Sequence, residues 1–312
     1  MTAHTQTAHT APMPQSSAGS TGTLDPVATF TELRQRLFGV AYRMLGSVAD
    51  AEDILQETYV RWQEVVNSNT PVESPSAYLT TMVSRRCLDE LRSARRQREA
   101  YVGPWLPEPL IKDDHLDPIL STEQADTIST AFLVVLEALS PGERAAFLLH
   151  DVFGYAYSEL AHMLGRAEPA CRQLVTRARR RIAERRPRFE VSREEHSRLL
   201  QEFTVAATAG NLDGLVSLLA EDVVLRADGG GVVQAARNPV LGADRVARFL
   251  LGVRNKVPAG LRYVDGPVNG LPGILMYDGS TLFGTMSFDV GAGKIRNVFI
   301  QVNPHKLPGT RP

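Results

Sequence analysis

The side chains best placed to do chemistry in this 312-residue chain are arginines, not a nucleophile or a metal-binding set. Between Arg166 and Arg188 there are nine arginines against two carboxylates, Glu168 and Glu184, although the formal net charge of the whole chain is only −1. A guanidinium is always charged and presents a planar fork of donors that matches a phosphate or the edge of a guanine. So lopsided a run points to a polyanion, since a helix that needed only solubility would mix its signs. Within it Arg172, Gln173, Thr176, Arg177, Arg179 and Arg180 lie off the apolar stripe of Leu174, Val175, Ala178 and Ile182. The elements that must hold these side chains can be read locally. Ser140, Pro141 and Glu143 form a capping box with proline at the first helical position, and the helix they open is expected to run to Gly154. Ser158 is the expected cap of a short helix ending at Gly165, and a turn of Gly165, Arg166 and Ala167 leads into a third helix with Pro169 near its start. That arrangement reads as a helix-turn-helix whose second helix faces a major groove.

A second basic stretch lies upstream. Between Arg85 and Glu99 six arginines stand against three carboxylates, in a helix restarted by Ser74 and Pro75 after the polar loop from Asn67. Two basic helices on separate units fit two contacts along one duplex. The helices before them carry the packing: Phe30, Leu33, Leu37, Val40 and Met44 in the first, Ala51, Ile54, Thr58, Trp62 and Val65 in the next. Ser47 caps that second helix, whose outer face holds Asp50, Asp53, Gln56, Glu57 and Arg61, an acidic surface able to meet a basic partner.

Other function classes recede. Residues 1 to 24 are rich in Thr, Ala, Ser and Pro and poor in large apolar side chains, so they are expected to be disordered and do not resemble a signal peptide. No run reaches the roughly 20 apolar residues of a membrane span, and a soluble cytoplasmic protein is expected. Cys87 and Cys171 are isolated and read as packing residues, as do His150 and His162, so no disulfide, metal or cofactor is expected.

Residues 101 to 125 carry four prolines and read as an extended connector in which Trp105, Leu106, Pro107, Glu108 and Pro109 form a stiffened turn. Trp105 either docks on another surface or patches a neighbouring helical core. Beyond Phe189 arginine thins and glycine and β-branched residues rise. Two helices joined at Gly210 and Asn211, a short strand, a helix from Gly242, and strands near 261–265, 273–277, 281–290 and 294–302 suggest an α+β cone with a curled antiparallel sheet. Asp228, Tyr277 and His305 are the acid–base residues such a cone would offer an enzyme. No nucleophile–base pair stands out, and a non-enzyme is expected.

The order DAEDILQETYVRW, SPSAYLTTMVSRRCLDELRSARR and LSPGERAAFLLHDVFGYAYSELAHMLGRAEPACRQLVTRARRRI resembles a bacterial sigma factor of the extracytoplasmic-function (ECF) type. The resemblance implies an all-α σ2 domain over 25–100, the linker over 101–125, an all-α σ4 helix-turn-helix over 126–188, and an α+β SnoaL-like (NTF2-like) domain over 195–308. It further implies that the face of Asp50, Asp53, Gln56, Glu57 and Arg61 grips core RNA polymerase. The helix with Arg85, Arg86, Asp89, Arg92, Arg95 and Arg96, and the loop before it, would read and open the −10 element of promoter DNA. Arg172, Gln173, Thr176, Arg177, Arg179 and Arg180 would read the −35 element. Trp105 to Pro109 resembles the linker of the group with a fused C-terminal extension. Asp228, Gly229, Gly230 and Gly231 resemble its DGGGK motif with Val232 in place of lysine, and Asn303, Pro304, His305, Lys306 and Leu307 its NPDKL motif with His305 in place of aspartate. These two motifs are expected to regulate the sigma domains in cis, with the sign of the effect and any small ligand left open. The alternative is a DNA-binding regulator with a ligand-sensing domain.

Overall fold

Asp25 opens the first helix by accepting from the N–H groups of Val27 and Ala28, and Gly46 closes it in the left-handed region at φ 68°. In the computed structural model, which describes residues 25–111, 125–185, 191–254 and 256–308, this helix is α1 (Pro26–Leu45). The tail 1–24, linker residues 112–124, Arg186 and Arg188 lie outside the described residues, as do the side chains of Arg95 and Arg96. Next come α2 (Val48–Asn67), capped by the Ser47 hydroxyl, and α3 (Pro75–Glu99). Trp62 is fully buried among them, its indole N–H donating to the Pro26 carbonyl at 3.1 Å.

The second helical unit comprises α4 (Ala125–Ile128), α5 (Thr130–Leu136), α6 (Pro141–Phe147), α7 (Tyr157–Leu164) and α8 (Glu168–Arg185). The Ser140–Glu143 capping box forms as expected, and α6 continues through a π-helical turn, Leu148–Val152, to Gly154. Ser158 is not the cap of α7. Ala156 holds that position with extended backbone, and the Glu159 carboxylate satisfies its N–H at 2.7 Å, so Ser158 falls inside the first turn. The two units are not separate bodies: one apolar core runs from Phe30 through Trp62, Val83 and Leu136 to Val175 and Ala178. Buried Arg144 reinforces the joint by donating to the Met44 carbonyl at 2.7 Å, and Tyr155 donates to Thr80 Oγ1 at 3.0 Å.

The C-terminal unit has α9 (Arg193–Ala209), α10 (Leu212–Leu218), β1 (Leu219–Asp228), β2 (Val240–Leu241), α11 (Ala243–Val253), β3 (Arg262–Val268), β4 (Leu271–Asp278), β5 (Thr281–Gly291) and β6 (Lys294–Gln301). The sheet order is β2-β1-β6-β5-β4-β3. The expected all-antiparallel sheet is corrected in one pair: β1 and β6 run parallel. The chain leaves β1 through β2 and α11, enters the far edge at β3, and meanders back, so its last strand arrives beside β1 in the same direction. β1 is also longer than expected, at ten residues. Val223, Leu225, Ile274, Met286, Phe288 and Val298 face α9 to α11 and form this unit's core. The other face carries Asp228, Phe299, Gln301 and Leu275, and on it lie the linker and α5: Phe299 packs with Leu106 and Ala131.

Candidate promoter and polymerase interfaces and the clamp between domains

Helix α8 is built as its sequence suggests. Cys171, Leu174, Val175 and Ala178 are buried, while Arg172, Gln173, Thr176, Arg177, Arg179 and Arg180 are exposed. The arginines are oriented by acids of their own unit. Arg172 pairs with Glu168 and stacks over the Tyr157 ring at 4.3 Å, and Arg179 binds Asp151 through two bonds of 2.8 and 2.7 Å. Arg180 reaches Glu184 at 2.9 Å, and Arg177 and Arg181 converge on Glu143 at 3.5 and 2.7 Å. Burial pushes the Glu143 carboxyl up, but bonds from the Ser140 backbone and hydroxyl, with Arg181 and Arg177 nearby, outweigh that and hold it below the usual range. Glu168 and Glu184 are exposed, and pairs of that kind are worth about 0–1 kcal/mol, so they aim Arg172 and Arg180 without competing seriously with phosphate; Asp151 and Glu143, with 17% and 4% of their side chains exposed, are screened less and hold Arg179, Arg177 and Arg181 more firmly. Thr176 has spent its hydroxyl proton on the Arg172 carbonyl at 2.9 Å.

In α3 the expected readers are differently disposed. Arg85 donates from Nε to the Met163 carbonyl (3.0 Å) and from Nη2 to the His162 carbonyl (2.9 Å), satisfying carbonyls at the C-terminal end of α7. Arg86 pairs with Glu57 of α2, and Arg92 pairs with exposed Asp89 at 3.0 Å. Arg92 also lines, with Arg166 and Arg177, a cleft of about 760 Å³ between the two helical units. The acidic face of α2 is exposed at Asp53, Gln56, Glu57 and Arg61, with Asp50 half-buried in its first turn.

The linker is the third feature. Glu108 is buried at the N-terminus of α2, where its carboxylate accepts from the N–H groups of Val48 (2.8 Å) and Ala49 (3.3 Å) and its own N–H donates to the Gly46 carbonyl. Trp105 is half-buried against both neighbours: it lies so close over Gly46 at the end of α1 that a Cβ there would come 2.7 Å from its ring, and Lys306 Nζ is 4.2 Å from the ring centre. Leu106, Pro107 and Pro109 are buried.

The two C-terminal motifs meet on this linker. Asp228, with no solvent exposure, accepts from the Tyr101 hydroxyl (2.6 Å), the Leu106 N–H (2.9 Å), the Gly230 N–H (3.0 Å) and Lys306 Nζ (2.8 Å). Lys306 donates as well to the Leu106 carbonyl at 2.7 Å. Asn303 donates to the Tyr101 oxygen at 2.9 Å and accepts from the His305 N–H. Gly229 and Gly230 are required by space: a Cβ would fall 2.2 Å from the Val233 carbonyl oxygen or 2.3 Å from the Asn303 carboxamide. Gly231, at φ 74°, lies against Val102. Leu307 is buried with Val268, Leu275 and Leu282, Pro304 is half-buried and His305 faces solvent.

The acid–base residues considered for an enzyme are thus dispersed in purpose. Asp228 is filled with donors, Tyr277 lies beneath Arg262, and His305 is exposed. Among the described residues no group of three or more His, Cys, Asp or Glu could hold a metal, and no helix is long and apolar enough to cross a membrane. Tyr42, Asn269 and Gln301 also hold the linker, whose own Tyr101 reaches Asp228, and none of the four stands out in the sequence. The Asn-Gly pair at 269–270 is a turn signal, but it says nothing about where the Asn269 carboxamide reaches.

An arginine-faced helix-turn-helix fused through a clamped linker to a second arginine-bearing helical unit defines a multidomain DNA-binding transcription protein. Residues 29–97 match the family described as Sigma-70 region 2, and residues 129–182 match Sigma-70, region 4. The ECF RNA polymerase sigma factor SigJ of Mycobacterium tuberculosis is 39% identical over 296 residues, spanning 91% of this chain and 94% of that protein. The probable ECF RNA polymerase sigma factor SigI of the same species is 33% identical, spanning 92% of this chain and 97% of that protein. The crystal structure of M. tuberculosis SigJ superposes with a TM-score of 0.72 at 37% identity, covering 90% of this chain and 97% of the other. The chain belongs to the ECF RNA polymerase sigma factors, proteins that bind core RNA polymerase and direct it to promoters.

Proposed function

We propose the following division of labour within this sigma factor, acting in the cytoplasm where the polymerase is. The face of α2 with Asp53, Gln56 and Glu57 docks on core RNA polymerase. Helix α3 from Arg85 to Arg96, with the loop before it, engages and opens the −10 element, and α8 enters the major groove at the −35 element. The C-terminal domain is a non-catalytic regulator in cis. Tethered to its target, it acts at high effective concentration without a separate partner. The observation that carries this reading is the destination of Arg85. When the C-terminal domain holds the linker, the two helical units share one core and a −10 candidate is spent on the end of α7. The closed arrangement is therefore a resting state, and polymerase and promoter draw the two units apart. The ligand-sensing regulator considered as an alternative would have no need of the docking face on α2.

Asp53 and Gln56, both exposed and away from the linker contacts, give the test of that face. Replacing both by alanine should weaken binding to core polymerase by about 1–2 kcal/mol each, roughly 5- to 30-fold per residue, as for the central residues of an interface. Undiminished retention on immobilised core polymerase would exclude α2 as the docking helix.

A further inference from the structure

The turn between β3 and β4 holds Asn269 in the left-handed region, at φ 52°, and entirely out of solvent. Its carboxamide is fully used. Nδ2 donates to the Tyr42 hydroxyl oxygen of α1 at 2.6 Å and to the Ile128 carbonyl at the end of α4 at 2.8 Å. Oδ1 accepts from the Leu110 N–H of the linker at 3.2 Å, while the backbone N–H of Asn269 donates to the Leu110 carbonyl at 2.8 Å. The Tyr42 hydroxyl donates in turn to the Glu108 carbonyl at 2.8 Å, two residues from Leu110 in the same linker. One side chain of the C-terminal domain thus grips the first helical unit, the second, and the segment joining them.

These partners all lie outside the domain that supplies the residue. Asn269 takes no part in the core formed by Val223, Leu225, Phe288 and Val298, which lies on the opposite face of the sheet. A carboxamide combines two donors with an acceptor, and a buried donor or acceptor left without a partner is costly, so the contacts favour being made or released together. We infer that Asn269 is the coupling residue through which the C-terminal domain sets the spacing of the two promoter-reading units. This rests on the reading that the domain regulates in cis, and adds the place where the regulation is transmitted. Lifting the β3–β4 turn takes the Asn269 partner from Tyr42, Ile128 and Leu110 at once, so one tie to each unit and to the linker is lost together, while Glu108 keeps its bonds to α2. Asn269 is a positioning residue and touches neither DNA nor polymerase.

The test uses the full-length chain. Asn269→Gly keeps the left-handed backbone free of strain and removes the carboxamide, and Asn269→Asp keeps the acceptor and loses both donors. Cysteines introduced at exposed Asn67 and Ala183 carry a dye pair across the two units, the native Cys87 and Cys171 being buried. Both variants should lengthen and broaden the distance distribution and raise transcription by core polymerase from the cognate promoter about 5-fold or more, the lower range of measured couplings between sites. Lys306→Met, which breaks the other linker contact, is the comparator. If it changes transcription while Asn269→Gly leaves distance and transcription as in the parent, the Asn269 assignment fails and regulation in cis stands. If neither variant changes transcription, both fail. A lowered melting temperature with an unchanged distance distribution would mark Asn269 as a structural residue only and overturn the inference. Should Asn269→Gly not fold, Tyr42→Phe removes the same acceptor and should shift distance and transcription in the same direction by less, an unchanged distance again being the contrary result.

Discussion

Asp228→Ala is expected to cost about 3–5 kcal/mol of stability, because it takes the buried carboxylate from the Lys306 ammonium, the Tyr101 hydroxyl and the Leu106 N–H together. The Asp228 side chain is fully buried and that of Lys306 is 13% exposed, so water can repair little of the loss. The Lys306 ammonium keeps the Leu106 carbonyl and the rings of Tyr101 and Trp105. The damage should be confined to the clamp, with early release of residues 101–111 in hydrogen exchange while the α9–α11 core stays protected. Lys306→Met in the Asp228→Ala background should recover much of the loss, since an apolar replacement of both members of the pair removes the largely buried ammonium as well. Denaturant titration of the two single variants and the double variant measures this directly. Strictly additive losses would mean that the pair is not the anchor of the linker.

Arg172→Ala with Arg177→Ala should weaken promoter binding by the polymerase holoenzyme by about 1–3 kcal/mol for each side chain that reaches a base edge. Each phosphate contact removed should also make the dependence of log affinity on log salt shallower by about one unit. Arg172 is held over Tyr157 and Arg177 beside Glu143, so both leave the helix in a defined direction. Arg180, with 81% of its side chain exposed against 58% for Arg172 and Arg177 and paired with Glu184 a turn away, should contribute less sequence preference. Equal losses at Arg172, Arg177 and Arg180 on cognate and scrambled duplexes would reduce α8 to a nonspecific basic surface, and unchanged binding would exclude it.

Much of this was legible because it is local. A cap, a staggered apolar stripe and a glycine terminator lie within a few residues of one another, so α1, α2, α6 and α8 and the exposure of the α8 arginines could be read from spacing. The cap of α7 was misplaced because Ala156 has no acceptor and Glu159 does the work alone. What depends on distant partners was not legible. The parallel β1–β6 pair is decided by which edge the chain enters after α11, and no pattern within β1 records that. Arg85 looked like a DNA contact by charge and helix position, and its bonds to Met163 and His162 join residues 78 and 77 positions apart. Asp228, the glycines and the residues from Asn303 to Leu307 could be matched to motifs, but their meeting with Tyr101 and Trp105 joins stretches more than a hundred residues apart. Asn269 announced only a turn, and its reach into three other parts of the molecule is a property of the assembled sheet edge.

The most direct measurement is run-off transcription with purified core RNA polymerase and a library of promoter fragments, with and without this chain. Adding the chain is expected to produce transcripts starting at one fixed distance from a shared pair of upstream elements, and the α2 and α8 variants are expected to lose them. Identical transcripts in the presence and absence of the chain would contradict this.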